Sequence, residues 1–371
     1  MTKRHHTMTL LTLALAAAGC AAEGDAALDD GADHAAVSQD ATVTGMRVVG
    51  NQLQKDGAPF LARGFNMIGA LTPAWCNQGT GIRARDNFGS TELTTAVNDW
   101  HATTIRLQIS QRGLEDPTRT QAERDAYLAQ VRDDVLLARS FGLVVILSMQ
   151  DQSIGCGPVH PLPSTQTVAA WQKLAPAFAN WGYVMFELFN EPQNGTASAA
   201  WAQWRDGGST PLANLGDTTV GFQTLVATVR NTGAKNVVIA DAALKGEHLD
   251  NITPFLLTEQ GSGRGIAYAI HPYFYKPGAA YWQTSWGFLT ATRAVIATEW
   301  NFQADDCGTT VETLAPSFLA FLSDHGIGIT AHAFDFLGTL VSDFSWTPTR
   351  CGSASGGAGQ VLKDWYAHLA G

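Results

Sequence analysis

Charge is scarce in this sequence. Acidic and basic residues together make up 15% of its 371 residues, and lysine and arginine form no run. With 23 basic residues against 33 acidic ones the net charge is −10. An acidic chain without a basic stripe lacks the electrostatic footprint of a nucleic-acid binder. Cysteine is also sparse: five residues with no Cys-x-x-Cys pair, so the usual spacing of a zinc site is missing. No internal repeat and no second domain is apparent. What is abundant is apolar: 45% of residues are hydrophobic, ample for a large buried core and incompatible with a disordered chain. The length suits two ordinary domains or one large α/β barrel.

The first 19 residues do not read as fold. Lys3 and Arg4 give a positive start, Thr7 to Gly19 is uncharged and apolar, and Cys20 follows. This is an export signal, too short to span a membrane. The run Leu15-Ala16-Ala17-Ala18-Gly19-Cys20 resembles a bacterial lipobox, except that Ala17 stands where leucine is usual. In that reading Cys20 is lipidated and the protein sits on the outer membrane or cell surface. The alternative is an ordinary signal peptide with Cys20 incidental and the protein secreted. Residues 20–44, rich in Ala, Asp and Gly and without aromatics, read as a flexible tether.

From residue 45 to 371, short apolar runs alternate with amphipathic stretches. Strands are predicted at Leu61–Asn66, Thr103–Ile109, Leu143–Met149, Tyr183–Phe189, Asn236–Ala240, Ile266–Ile270, Ala294–Thr298 and Gly328–Phe334. The intervening helices are clearest at Thr120–Phe141, Thr167–Trp181, Gly221–Asn231, Thr310–Asp324 and Gly359–Leu369. Runs such as Leu143-Val144-Val145-Ile146-Leu147 are apolar throughout, as in parallel strands covered on both faces. Eight strand–helix units predict a (β/α)8 TIM barrel. An open doubly wound sheet is the alternative, weakened because no glycine-rich nucleotide loop follows the first strand. Met46–Phe60, with Lys55-Asp56-Gly57 as its turn, is predicted to form an N-terminal β-hairpin closing the barrel bottom.

Barrel chemistry sits at the C-terminal ends of strands. There the fourth strand runs into Glu187-Leu188-Phe189-Asn190-Glu191-Pro192 and the seventh into Ala297-Thr298-Glu299-Trp300-Asn301. Two carboxylates three strands apart can face each other across the mouth, as glycoside hydrolysis needs. Spacing alone leaves structural ion pairs as an equal reading. The wording of the motifs adds more. Asn190-Glu191-Pro192 resembles the signature of glycoside hydrolase family 5, the cellulase family of retaining barrels. Gly57–Asn66, Thr104-Ile105-Arg106-Leu107 and His271-Pro272-Tyr273 resemble that family's first, second and sixth strands, and the resemblance spans nearly all of residues 46–371.

The resemblance implies residue roles. Glu191 is then the general acid and base, and Glu299 the nucleophile. Asn190 binds the sugar 2-hydroxyl, Arg106 and Tyr273 orient Glu299, and His271 contacts the acid or the substrate. From the residues alone, Arg106 could equally pair with Glu187, which reads as a structural interior carboxylate, and His271 could be a core histidine. Two positions depart from the family: Gln150 where histidine is frequent, read as a sugar contact, and His332 near where a Trp platform is usual. Phe334, Trp300 and Trp346 are candidate replacements for that platform. Trp75, Tyr275, Tyr281, Trp282 and Trp286 add loop aromatics, each more often ordinary packing than a sugar platform; Trp75 and Trp300 are the favoured sugar-stacking positions.

Excluding Cys20, four cysteines allow three pairings. Cys307 with Cys351 and Cys76 with Cys156 are preferred: Cys307 and Cys351 fall in the neighbouring loops after strands seven and eight, Cys76 and Cys156 in the loops after strands one and three, and both bridges would stiffen the cleft rim. The expectation is a monomeric, retaining, endo-acting β-glycosidase without metal or organic cofactor, since two carboxylates and water suffice. Its partner is a polysaccharide or oligosaccharide, β-1,4-glucan first, with mannan or mixed-linkage glucan next. It touches a membrane only through a lipid on Cys20 and binds no nucleic acid. The rivals are a binding lipoprotein that has lost catalysis, motivated by Gln150 and His332, and an exo-glycosidase for short oligosaccharides.

Overall fold

The computed structural model describes residues 44–69, 73, 75, 88–150, 160–211, 218–273, 278–354 and 356–371. Residues 1–43, which hold the predicted export signal, Cys20 and most of the predicted tether, lie outside the described residues, as do Cys76, Cys156 and Tyr275.

Eight parallel strands close into a barrel. In chain order the strands are β1 (Met46–Val49), β2 (Gln52–Lys55), β3 (Ala58–Pro59), β4 (Arg63–Met67), β5 (Thr104–Ser110), β6 (Val144–Gln150), β7 (Val184–Glu187), β8 (Gly207–Pro211), β9 (Thr218–Val220), β10 (Val238–Asp241), β11 (Ile266–Ile270), β12 (Val295–Ala297) and β13 (Gly328–Ala331). The barrel runs β4-β5-β6-β7-β10-β11-β12-β13 and returns to β4, while β8 and β9 form a small antiparallel pair outside it. All eight predicted strands are present. The helix predicted at Thr120–Phe141 spans Gln121–Ser140. It starts there because Thr120 and Glu123 form a reciprocal capping box. It stops there because Gly142, at φ +75°, takes the left-handed conformation that ends helices.

Side-chain alternation divides each strand between two environments. One set, including Phe65, Leu107, Leu147, Phe186, Tyr268 and Ile329, packs outward against the helices. The other points into the barrel and changes character along its axis. Its lower levels are apolar: Val144, Ile146, Met185, Ile239, Ala267 and Ile296. Its upper levels are polar and fully buried: Asn66, Arg106, Ser148, Glu187, Asp241 and Thr298. That switch of residue type within one strand face is what places chemistry at the mouth.

The bottom is closed by a three-stranded antiparallel sheet, β1-β2-β3, not a two-stranded hairpin. The register Val49↔Gln52 puts the first turn at Gly50-Asn51, and Asp56-Gly57 makes the second turn, into β3. Two turn signals lie in this stretch, and only the second was read from the sequence. The sheet is fastened below the barrel: Met46 N–H donates to Gly182 O and Val48 N–H to Arg264 O, both at 2.7 Å, just ahead of β7 and β11. Met46 and Leu53 complete the lowest apolar level. Truncating Met46 to alanine should therefore cost about 2–5 kcal/mol in urea unfolding. Because the plug is at the end opposite the polar level, the turnover rate of the folded variant should not change.

Candidate active site

Arg106 stands inside the barrel on β5, with no exposed surface. Its Nε donates to Glu187 Oε2 at 2.5 Å and its Nη1 to Glu299 Oε1 at 2.5 Å and to Asn66 Oδ1. Its Nη2 donates to Ser148 Oγ (2.8 Å), Glu187 Oε1 (3.0 Å) and Asn190 Oδ1 (2.7 Å). Burial opposes the positive charge, but Glu187 and Glu299 hold the guanidinium firmly protonated. Both sequence readings of Arg106 are thus realised at once: it pairs with the interior Glu187 and with Glu299.

Beyond β7 the chain leaves the strand but stays tied to it. Asn190 N–H bonds Met149 O at 2.9 Å. Glu191 then takes φ +51°, a region uncommon for a residue with a side chain. Its backbone N–H donates to Asp241 Oδ2 at 2.9 Å. Glu191 keeps a side-chain exposure of 19%, against 7% for Glu299. Oxygens of the two carboxyl groups lie within 4.8 Å of each other.

The two carboxylates differ in surroundings. Burial alone would raise Glu299, but His271, Arg106 and His332 and the hydroxyl of Tyr273 hold it down to about 2. Tyr273 Oη donates to its Oε2 at 2.8 Å, and Gln108 Nε2 reaches its Oε1 at 3.4 Å. Among the described residues Glu191 has one side-chain partner at hydrogen-bond distance, His271 Nδ1 at 3.0 Å. The other nitrogen, Nε2, faces Thr298 Oγ1 at 3.0 Å, and that hydroxyl donates to Glu187 Oε1 at 2.8 Å. A hydroxyl has a single hydrogen, so Thr298 must accept from His271, and Nε2 carries a proton. Burial disfavours the His271 cation, yet Glu299, Glu187 and Glu191 raise it well above the ordinary histidine value.

Gln150, at the end of β6, is buried beside this cluster and donates to Ser148 Oγ at 3.1 Å. His332 follows β13, its ring 6.4 Å from that of Tyr273, and burial keeps its imidazole below the usual value.

The aromatic expectations need correction. Trp300 is fully buried and stacks on Phe318 with centroids 5.9 Å apart, facing the helix layer. It cannot be a sugar platform. Phe334 is buried against Phe65, and Trp282 and Trp286 pack around Phe318 and Phe321. Trp75 is half-buried against Tyr127. The Cys307–Cys351 bridge is present with Cα atoms 5.4 Å apart, joining the loops after β12 and β13.

The site residues missed in the sequence include Asn66, Gln108, Ser148 and Asp241. Each has inward parity at the upper end of its strand, the one signal that could have found it.

The profile of the cellulase family, glycosyl hydrolase family 5, matches residues 53–335. The chain belongs to glycosyl hydrolase family 5. Solved structures similar to this family 5 chain share its fold. A β-glucanase from Saccharophagus degradans superimposes with TM-score 0.65 at 22% identity, over 91% of this chain and 99% of that one. The catalytic domain of an endoglucanase from Thermobifida fusca gives 0.59 at 19%, over 87% and 97%. A hyperthermophilic endocellulase from Pyrococcus horikoshii gives 0.60 at 14%, over 88% and 99%. No curated protein sequence matches. As a family 5 member the protein is a glycoside hydrolase.

The Tyr273 hydroxyl helps keep Glu299 ionised, and a hydrogen bond to a charged group contributes about 1.5–3 kcal/mol. In Tyr273→Phe the Glu299 carboxyl should therefore titrate about one to two pH units higher. The measurement is a pH titration of the side-chain carboxyl resonances. An unmoved Glu299 would show that the phenol does not support its charge.

Proposed function

We propose that this protein is a retaining β-glycosidase that cuts within β-1,4-linked glucan chains by double displacement. The observation that carries this reading is the carboxyl pair: oxygens of Glu191 and Glu299 within 4.8 Å, in line with the roughly 5 Å spacing of retaining rather than inverting enzymes.

Each step uses a group already in place. Glu299, ionised and aimed by Arg106 and Tyr273, attacks the anomeric carbon. Glu191 gives its proton to the leaving glycosidic oxygen as that bond breaks, and a glycosyl ester of Glu299 forms. Glu191, now a carboxylate, takes a proton from water. The water oxygen attacks the same carbon and frees Glu299. Two inversions leave the original configuration. His271 Nδ1, at 3.0 Å from Glu191, steadies the acid in both steps. Asn190, held through Oδ1 by Arg106, faces the sugar 2-hydroxyl. Gln150 and His332 line the floor as polar sugar contacts.

The glucan preference draws support from the β-glucanase and endoglucanase neighbours, and from a Thermobifida fusca endoglucanase solved in complex with cellotetraose. The apolar start and Cys20 support export and a surface anchor.

The test compares variants on cellulose derivatives, mixed-linkage glucan, mannan, xylan and xyloglucan. Glu299→Ala should abolish turnover. Glu191→Ala should lose about 10²–10⁴-fold on polysaccharide and recover on aryl glycosides with activated leaving groups. Azide should then give the β-glycosyl azide from the Glu191 variant and the α-anomer from the Glu299 variant. Near wild-type rates in both variants, or a first product of inverted configuration, would overturn the proposal.

A further inference from the structure

Asp241 ends β10 inside the barrel with no exposed surface, and the steps above do not use it. Its Oδ2 accepts the backbone N–H of Glu191 at 2.9 Å, at the residue whose φ is +51°. The segment just after it grips the same loop: Leu244 N–H bonds Asn194 O and Lys245 N–H bonds Pro192 O, both at 3.0 Å. Gly246 O accepts from His271 N at 2.7 Å. One short stretch thus holds both Glu191 and the histidine that touches it.

The second oxygen of Asp241 poses a chemical problem. Among the described residues Oδ1 is buried with no ordinary donor, and a buried acceptor without a partner is costly. The groups facing Asp241 are Glu187 from β7, with an oxygen within 4.8 Å, and His271, whose Nε2 is 3.6 Å from Oδ2. Arg106 is already occupied by Glu187, Glu299 and neutral acceptors. Two facing carboxyls satisfy one another when one carries a proton. The charges agree: Arg106 and His271 balance Glu187 and Glu299, which leaves no counter-ion among the described residues for a third buried anion.

We propose that Asp241 is a protonated carboxylic acid that positions Glu191: its proton binds Glu187, and its carbonyl oxygen clamps the backbone from which Glu191 projects. Burial and the neighbouring Glu187 push the Asp241 carboxyl well above the ordinary aspartate range, in the same direction as the geometry. Asp241 is a positioning residue: it acts through Glu191 and touches no reacting atom. The proposal rests on Glu191 being the acid and base.

Asparagine reproduces a neutral acid, since its amide can donate to Glu187 and its oxygen accept from Glu191. The full-length protein, wild type and as Asp241→Ala, Asp241→Asn and Glu191→Gln, is assayed on β-glucan and on a dinitrophenyl β-cellobioside, which departs without a proton. Asp241→Ala should lose on the order of 100-fold in kcat/KM on glucan, with a much smaller loss in kcat/KM on the dinitrophenyl substrate, because kcat/KM reports the step in which the leaving group needs its proton. Asp241→Asn should restore the glucan rate to within a few-fold of wild type.

An equal loss on both substrates would mark Asp241 as merely structural and overturn the proposal, as would an asparagine variant no better than alanine. Should the alanine variant fail to fold, the pH–rate profile of Asp241→Asn decides. If Asp241 were ionised, the exchange would remove a negative charge, Glu191 would lose its proton more readily, and the basic limb would move to lower pH. An unmoved limb supports the neutral acid; a lowered one overturns it. Glu191→Gln separates the two levels: without its own leaving-group dependence the assignment of Glu191 fails, and with it the Asp241 result is judged alone.

Discussion

A guanidinium enclosed in a barrel must be met by acceptors on every side, because removing its water costs several kcal/mol. Arg106 meets that demand with two carboxylates, two amide oxygens and a hydroxyl drawn from β4, β6, β7 and the chain after β7 and β12. The rest of the site follows from this contact. Glu187 ties the cation to the barrel wall, so Glu299 is fixed by a partner that cannot itself move. Asn190 is turned by the same nitrogen that binds Ser148. Such an array is oriented before substrate arrives, and little reorganisation is left for the reaction.

Strand alternation is what delivers these groups, and much of it was legible. The apolar runs gave all eight barrel strands, and the motifs around Glu191, Glu299, Arg106, His271 and Tyr273 named residues that the fold gathers at one mouth. The Cys307–Cys351 pairing followed from loop adjacency and is present. Adjacency of this kind is topological, so it survives errors of one or two residues in strand ends.

The less legible parts share a cause. Asp241 was passed over because the predicted strand stopped at Ala240, and parity carries meaning only inside a strand. Asn66, Gln108 and Ser148 sit in apolar runs where a single polar residue reads as tolerated, and only closure of the barrel shows that they converge. Trp300 failed in the opposite way. Its place next to Glu299 in sequence suggested the cleft, but adjacent residues near a strand end face opposite sides, and its ring lies in the helix layer on Phe318. Neighbourhood along the chain is a poor guide to neighbourhood across a wall one residue thick.

The change from apolar to ionic side chains part-way up the barrel also bears on durability. Below it, Val144, Ile146 and Ile239 gain from burial; above it, Arg106, Glu187 and Asp241 are buried against their own hydration. Buried ion pairs can often be exchanged for well-packed apolar groups at no loss of stability, and sometimes with a gain. The upper tier is thus a weakness that the frame carries for the sake of reactivity. Leucine and methionine in those places would exchange paired charges for close packing, and with them the polar mouth would go.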